Sequence, residues 1–192
     1  MTERRSNRSR ATELLIASTW DGRPLDAAEQ VRVRLRLDAS ALRIAIRAPL
    51  HGDPPPPGSP GSTERLWEHE VVELFVAGPP NESGTVAYTE IEIAPGGHHL
   101  VLQLSGVRRV VASGLPMRLR TLRTSGHWLA AARLDRGLLP PPPWSANAFA
   151  IHGAADGRRY LAAHPLPGPA PDFHQPARFP PLALAEPRSR TG

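Results

Sequence analysis

The chain has 192 residues, no cysteine and a formal charge of +5, and each of its 23 basic residues is arginine. That length is enough for one domain with a sizeable core, while the missing thiols exclude disulfides, cysteine nucleophiles and thiolate metal sites. No apolar run approaches the roughly 20 residues of a membrane-spanning helix, and 23 prolines disfavour long helices.

Residues 1–12 are polar and rich in arginine and serine, as expected of a frayed tail. The first apolar stretch, Leu14 to Ala17, is shorter than the about 7–15 residues of a secretory core, which predicts no signal peptide and a cytoplasmic location. Val31 to Leu37 (VRVRLRL) and Leu42 to Ala48 (LRIAIRA) alternate strictly. They predict a hairpin with the aliphatic residues inward and Arg32, Arg34, Arg36, Arg43 and Arg47 outward. GDPPPPGSPGS follows as a polyproline-like surface loop.

Leu66 to Gln103 holds three period-two runs. Val72, Leu74 and Val76 oppose Trp67, His69, Glu73 and Phe75. In the second run Ile91 and Ile93 oppose Tyr88, Glu90 and Glu92. Leu100, Leu102 and Leu104 oppose His99, Val101 and Gln103 in the third. The expectation is a sheet with one face in the core and the other presenting carboxylates, an amide and aromatic rings. Met117 to Leu134 predicts a hairpin turning at Thr124-Ser125-Gly126, and Ala148 to His164 another turning near Asp156-Gly157. An extended segment, His164 to Leu184, closes the domain. The whole reads as an all-β, antiparallel β-sandwich over residues 13–185, with a second disordered tail at 186–192.

Two blocks, LWEHEVVELFVAGP…YTEIEIAPGGHHLVLQLSGVR and RRYLAAHPLPGPAPDFHQPARFPPLAL, carry a resemblance through Trp67, Glu73, Phe75, Tyr88, Glu90, Pro95, Gly97 and Arg108. Tyr160, His164, Pro165, Asp172, Phe173 and His174 continue it. The ordered set resembles the bacterial DOMON-like domains related to the family 9 carbohydrate-binding modules. That resemblance implies a jelly-roll-like or immunoglobulin-like sandwich and points to sugar binding. Val71-Val72 stand where Thr-Cys is usual, and the turn Ala94-Pro95-Gly96-Gly97 lacks the usual serine, departures that bear on ligand specificity rather than fold.

Trp67, Glu73, Tyr88, Glu90, Glu92 and Gln103 on neighbouring strands suit a hydroxyl-rich ligand, with rings for its C–H face and fixed carboxylates for its hydroxyls. Arg108, Tyr160 and His164 complete the candidate set. The competing reading pairs the glutamates with arginines of other strands on a solvated face. The arginine face lacks the interleaved aromatics of single-strand nucleic-acid binders and is expected to neutralise the glutamates instead.

His164, Asp172 and His174 offer ligand chemistry, but their spacing matches no zinc motif; a hydrogen-bonded structural crossing is expected there, with Phe173 in the core. His69 to Glu73 echoes a zincin helix without its second histidine and is set aside. Trp20 is expected to plug one end of the sandwich and Trp128 to sit in the core, with Trp144 partly exposed as a second stacking surface. Met1 and Met117 form no positioned Met/His pair for haem, and no cofactor is expected. The function expected is non-catalytic binding of a carbohydrate or sugar-like small molecule on a concave sheet face. Its alternatives are a glycoside-type hydrolase using paired glutamates and a protein-interaction module using the proline loops and arginine face.

Overall fold

Alternating burial builds the first sheet. In the computed structural model, which describes residues 11–166 and 168–184, β1 (Thr12–Ile16) and β2 (Ser18–Thr19) precede the hairpin β3 (Val31–Leu37) and β4 (Ala41–Pro49). Val31, Val33, Leu35 and Leu37 are buried while the arginines between them are exposed, as the sequence predicts. β5 (Val71–Pro80), β6 (Val86–Ile93), β7 (His99–Ser105) and β8 (Val110–Ala112) follow as an antiparallel run. The chain continues as β9 (Met117–Thr124), β10 (His127–Asp135), β11 (Ser145–His152) and β12 (Arg159–Ala162). The predicted hairpin turns both form. Gly126 has φ +81° in the first, a left-handed conformation that suits glycine. Helical structure among the described residues amounts to four single 3-10 turns. The tails expected at 1–12 and 186–192 fall outside the described residues, apart from Ala11 and Thr12, the latter opening β1.

Two antiparallel sheets stack into the expected β-sandwich, of order β1-β3-β4-β10-β9 and β2-β12-β11-β5-β6-β7-β8. Between them lies the main core, to which Leu35, Ile44, Ile46 and Trp128 contribute from the smaller sheet and Val72, Leu74, Ile91 and Val101 from the larger. A second core covers the outer face of the larger sheet, where Phe75, Tyr88, Leu102 and Phe149 pack under Leu166, Phe173 and Phe179 of the C-terminal segment. That segment is pinned by backbone hydrogen bonds from Leu166 to Trp20, from Leu182 to Trp144 and from Ala146 to Pro180. β5 is consequently buried from Val71 to Gly78, on both faces.

Three expectations are corrected here. In β7 the register places Leu100, Leu102 and Leu104 beside Glu92, Glu90 and Tyr88, so the leucines share the glutamate face. Val101 and Gln103 turn the other way, because both faces of this strand are covered. Gln103 therefore points between the sheets, its Nε2 donating to the Leu138 carbonyl at 3.0 Å, beside Thr89 Oγ1 on the same acceptor. Trp144 is buried rather than available for stacking, and its indole N–H donates to Pro140 O at 2.7 Å. The arginine hairpin faces solvent on the far side of the smaller sheet, where Arg32 and Arg34 pair with Glu13 and Arg43 with Asp38. Those arginines do not neutralise the glutamates of the larger sheet.

Candidate functional site

The second core is incomplete at one end, where a cleft of about 400 Å³ opens on the outer face of the larger sheet. Glu73 and Glu90 form its floor, Leu102, Leu104, Ile151 and Phe173 its apolar walls, and Trp67, Arg108, Tyr160 and His174 its rim.

Strand pairing brings the acids together. Glu73 lies directly across from Glu92, and Glu90 directly across from Phe75, so all three carboxyls share one face within a strand spacing. They are buried, with exposures of 2% for Glu73, 3% for Glu90 and 0% for Glu92. Oε2 of Glu90 and both oxygens of Glu92 lack a hydrogen-bond partner. Ionised carboxylates in such a place cost several kcal/mol each, of order, unless they are paired. Burial accordingly raises all three above the ordinary glutamate value, and mutual repulsion raises Glu73 and Glu92 further. Arg158 pulls Glu73 back only in part, as Arg108 does Glu90 and, from nearby but outside hydrogen-bond geometry, the Trp67 backbone does Glu92. Burial thus favours the neutral form of all three carboxyls, in which each can donate one hydrogen bond and accept others.

The nearby cations are held elsewhere. Arg108 donates from Nη2 to Asp172 at 2.9 Å, and Arg158 donates to the carbonyls of Trp67, Glu68 and Gly153. Among the described residues no arginine forms a hydrogen bond or ion pair with Glu73, Glu90 or Glu92. The paired-face alternative fails on this point.

Arg108 sits in a left-handed conformation (φ 58°) in the turn between β7 and β8, which aims its backbone N–H at Tyr88 Oη, 3.0 Å away. Tyr88 Oη also meets His174 Nδ1 at 2.9 Å. With the Arg108 amide donating to the phenol oxygen, the phenol proton goes to Nδ1. His174 Nε2–H then faces Glu90 Oε2, 4.0 Å away. Burial and the Arg108 charge lower His174 to about 4, so the ring is neutral. Burial raises the Tyr88 hydroxyl to about 12.

Trp67 is not part of strand β5, as the sequence run suggested. It lies on a 3-10 turn, Leu66–Glu68, entered through Arg65 in the left-handed region. Leu66 anchors that turn in the second core and leaves Trp67 at the rim, 40% exposed.

Of the candidate residues, Trp67, Glu73, Glu90, Arg108 and Tyr160 line the cleft together, and Tyr88 lies directly beneath its rim. Gln103 does not join them, and neither does His164, whose exposed side chain sits where Asn147 clamps its backbone amide and carbonyl. His174, assigned a structural place from sequence, is at the rim. Its membership rests on a 2.9 Å contact with Tyr88 across 86 residues, which no local pattern encodes. Asp172 accepts from the His174 backbone amide, and Phe173 stacks on Phe149 at 3.9 Å, as expected of a structural crossing. Among the described residues no group of three histidine or acidic side chains is arranged to hold a metal ion, and no helix is long and apolar enough to cross a membrane.

No family model matches the chain. In overall structure it is similar to a "putative carbohydrate-binding protein" from Bacteroides uniformis, with a TM-score of 0.70 at 16% identity over 93% of this chain and 88% of that one. That likeness shows a common fold. A family 9 carbohydrate-binding module from Caldicellulosiruptor kristjanssonii, in complex with glucose, gives a TM-score of 0.45 at 11% identity, over 85% and 78% of the two chains. In sequence the chain is 39% identical over 177 residues to the mouse UPF0462 protein C4orf33 homolog, covering 88% of this chain and 90% of that protein. The mouse protein and its rat, human and zebrafish counterparts are vertebrate, so the bacterial part of the resemblance finds no support in them. With that identity over nearly the full length of both proteins, the chain belongs to the UPF0462 (C4orf33 homolog) family.

Proposed function

We propose that residues 13–185 form one domain that binds a carbohydrate or sugar-like small molecule in the cleft, without altering it. The observation that carries this reading is an exposed tryptophan standing over buried, arginine-free carboxyl groups that face open space. A pyranose ring would lay its C–H face on Trp67 while its hydroxyls meet Glu73, Glu90 and His174 Nε2–H. The apolar walls exclude water from those hydrogen bonds. The fold shared with the Bacteroides protein is in keeping with this reading.

Affinity in the micromolar to millimolar range is expected, about −8 to −4 kcal/mol. Calorimetric titration with neutral mono- and disaccharides tests it. Trp67→Ala removes the platform from an exposed position, so it should weaken binding at least about tenfold while changing stability by less than about 1 kcal/mol. The reading fails if no saccharide produces heat, or if Trp67→Ala binds as the native chain does. A hydrolase is the second reading, because Glu73 and Glu90 face one cleft from adjacent strands. Release of reducing sugar, abolished by Glu90→Gln, would establish it.

A further inference from the structure

The floor of the cleft carries a cluster of buried carboxyl groups with few protein donors. Glu73 and Glu90 face the cavity, each at least 97% buried, and Glu92 lies beside Glu73 on the adjacent strand with both oxygens unpartnered. From the rim His174 Nε2–H approaches Glu90 at 4.0 Å, and the Trp67 backbone lies near Glu92. The other charges around the floor are Arg108 after β7, committed to Asp172, Arg158 before β12, committed to three carbonyls, and Glu64 behind Glu92. Without a ligand, burial favours the protonated form of these acids, and no arginine among the described residues sits within bonding distance of them. An alkylammonium brings three N–H donors on one atom and a full positive charge. It can therefore satisfy two carboxyls at once, and its charge is stabilised by the face of Trp67 or Tyr160.

Resting on the carbohydrate reading above, we propose that the cleft selects a sugar bearing a free, protonated amino group, with the ammonium between Glu73 and Glu90 and the ring face on Trp67. Binding would ionise one of the two carboxyls and pass its proton to the buffer, leaving an ammonium–carboxylate pair and no covalent change. The neutral His174 beside Glu90 favours the same outcome, since its Nε2–H can donate to the new carboxylate.

Calorimetry with four probes separates the possibilities: glucosamine, N-acetylglucosamine, glucose and cyclohexylamine, each in two buffers of different ionisation enthalpy between about pH 6 and pH 7.5. Glucosamine is expected to bind at least about tenfold more tightly than glucose or N-acetylglucosamine. It should release about one proton, and its affinity should rise with pH by up to about tenfold per unit. Glu73→Gln and Glu90→Gln, near-isosteric with the protonated acids, should melt no lower than the native chain while losing the proton release and the amine preference, so that glucosamine no longer binds more tightly than glucose. Glucose binding as tightly as glucosamine, with no proton release, overturns this proposal and leaves the carbohydrate reading in place. Cyclohexylamine matching glucosamine overturns the carbohydrate reading and with it the amino-sugar assignment, and silence from all four probes overturns both.

Discussion

Replacing Glu92 by glutamine is expected to make the protein more stable at pH 8 and to flatten its pH dependence. Glu92 is fully buried, its two oxygens are unpartnered, and the residue directly across the strand pair is another acid, Glu73. Burial pushes it up to about 10 from an ordinary 4.5. The folded state therefore keeps a proton that the unfolded chain surrenders above about pH 4.5. Stability from this group is complete below that point and is lost as pH rises toward the folded value, at up to about 1.4 kcal/mol per pH unit. Over the interval from 4.5 to 8 the loss has a ceiling of about 5 kcal/mol. Coupling to Glu73 and relaxation of the site reduce this to an expected gain of about 2–4 kcal/mol for Glu92→Gln at pH 8. The amide is uncharged throughout and leaves much the same unpaired polar group as the neutral acid, so the two proteins should converge near pH 5. Urea unfolding at pH 5, 6, 7 and 8, followed by tryptophan fluorescence, measures the difference at each pH. Parallel stability curves for the two proteins would refute the reasoning, because they would mean that Glu92 is ionised in the folded state or reached by solvent.

Two further expectations bear on the packing around the cleft. Gln103→Ala should cost about 1–3 kcal/mol in a urea melt, since it strips a donor from the Leu138 carbonyl between the sheets, yet leave saccharide affinity unchanged. An affinity loss with no stability loss would contradict the register described for β7. Phe173→Ala should cost about 3–5 kcal/mol by thermal or urea unfolding, because the ring is buried, stacked on Phe149 and edge-on to Tyr160.

Strict alternation made β3, β4 and the hairpin of β9 and β10 legible, because each of those strands has one wet face and one dry face. The same rule misassigned β7. HLVLQLS alternates leucines with His99, Val101, Gln103 and Ser105, but its leucine face is not the inter-sheet one, because the outer face that should be wet is roofed by a proline-rich segment from later in the chain. Polarity along the strand then carries no information about direction. The glutamates were correctly grouped as Glu73, Glu90 and Glu92, since their placement depends only on parity within β5 and β6. Their burial was illegible, because it comes from residues about 70 to 100 positions later. Trp67 reached the rim despite a wrong strand assignment, because its 3-10 turn lies just before β5 and Leu66 anchors it in the second core. His174 could not be found from local pattern, because its role depends on a tyrosine in a distant strand.

The roof over the outer face of the larger sheet comes from the last part of the chain, whereas the surface it covers is built from residues 66–162. During synthesis the two sheets can close while Leu166, Phe173 and Phe179 are still within the ribosomal tunnel, leaving Phe75, Tyr88 and Phe149 open to water. The nascent protein thus passes through a stage with an unshielded aromatic sheet, and a chain cut short near residue 163 would be held at it. Such a fragment would retain most of its inter-sheet core, short of Leu182 and Leu184, yet aggregate through the bare side, and it would lack the cleft's Phe173 and His174.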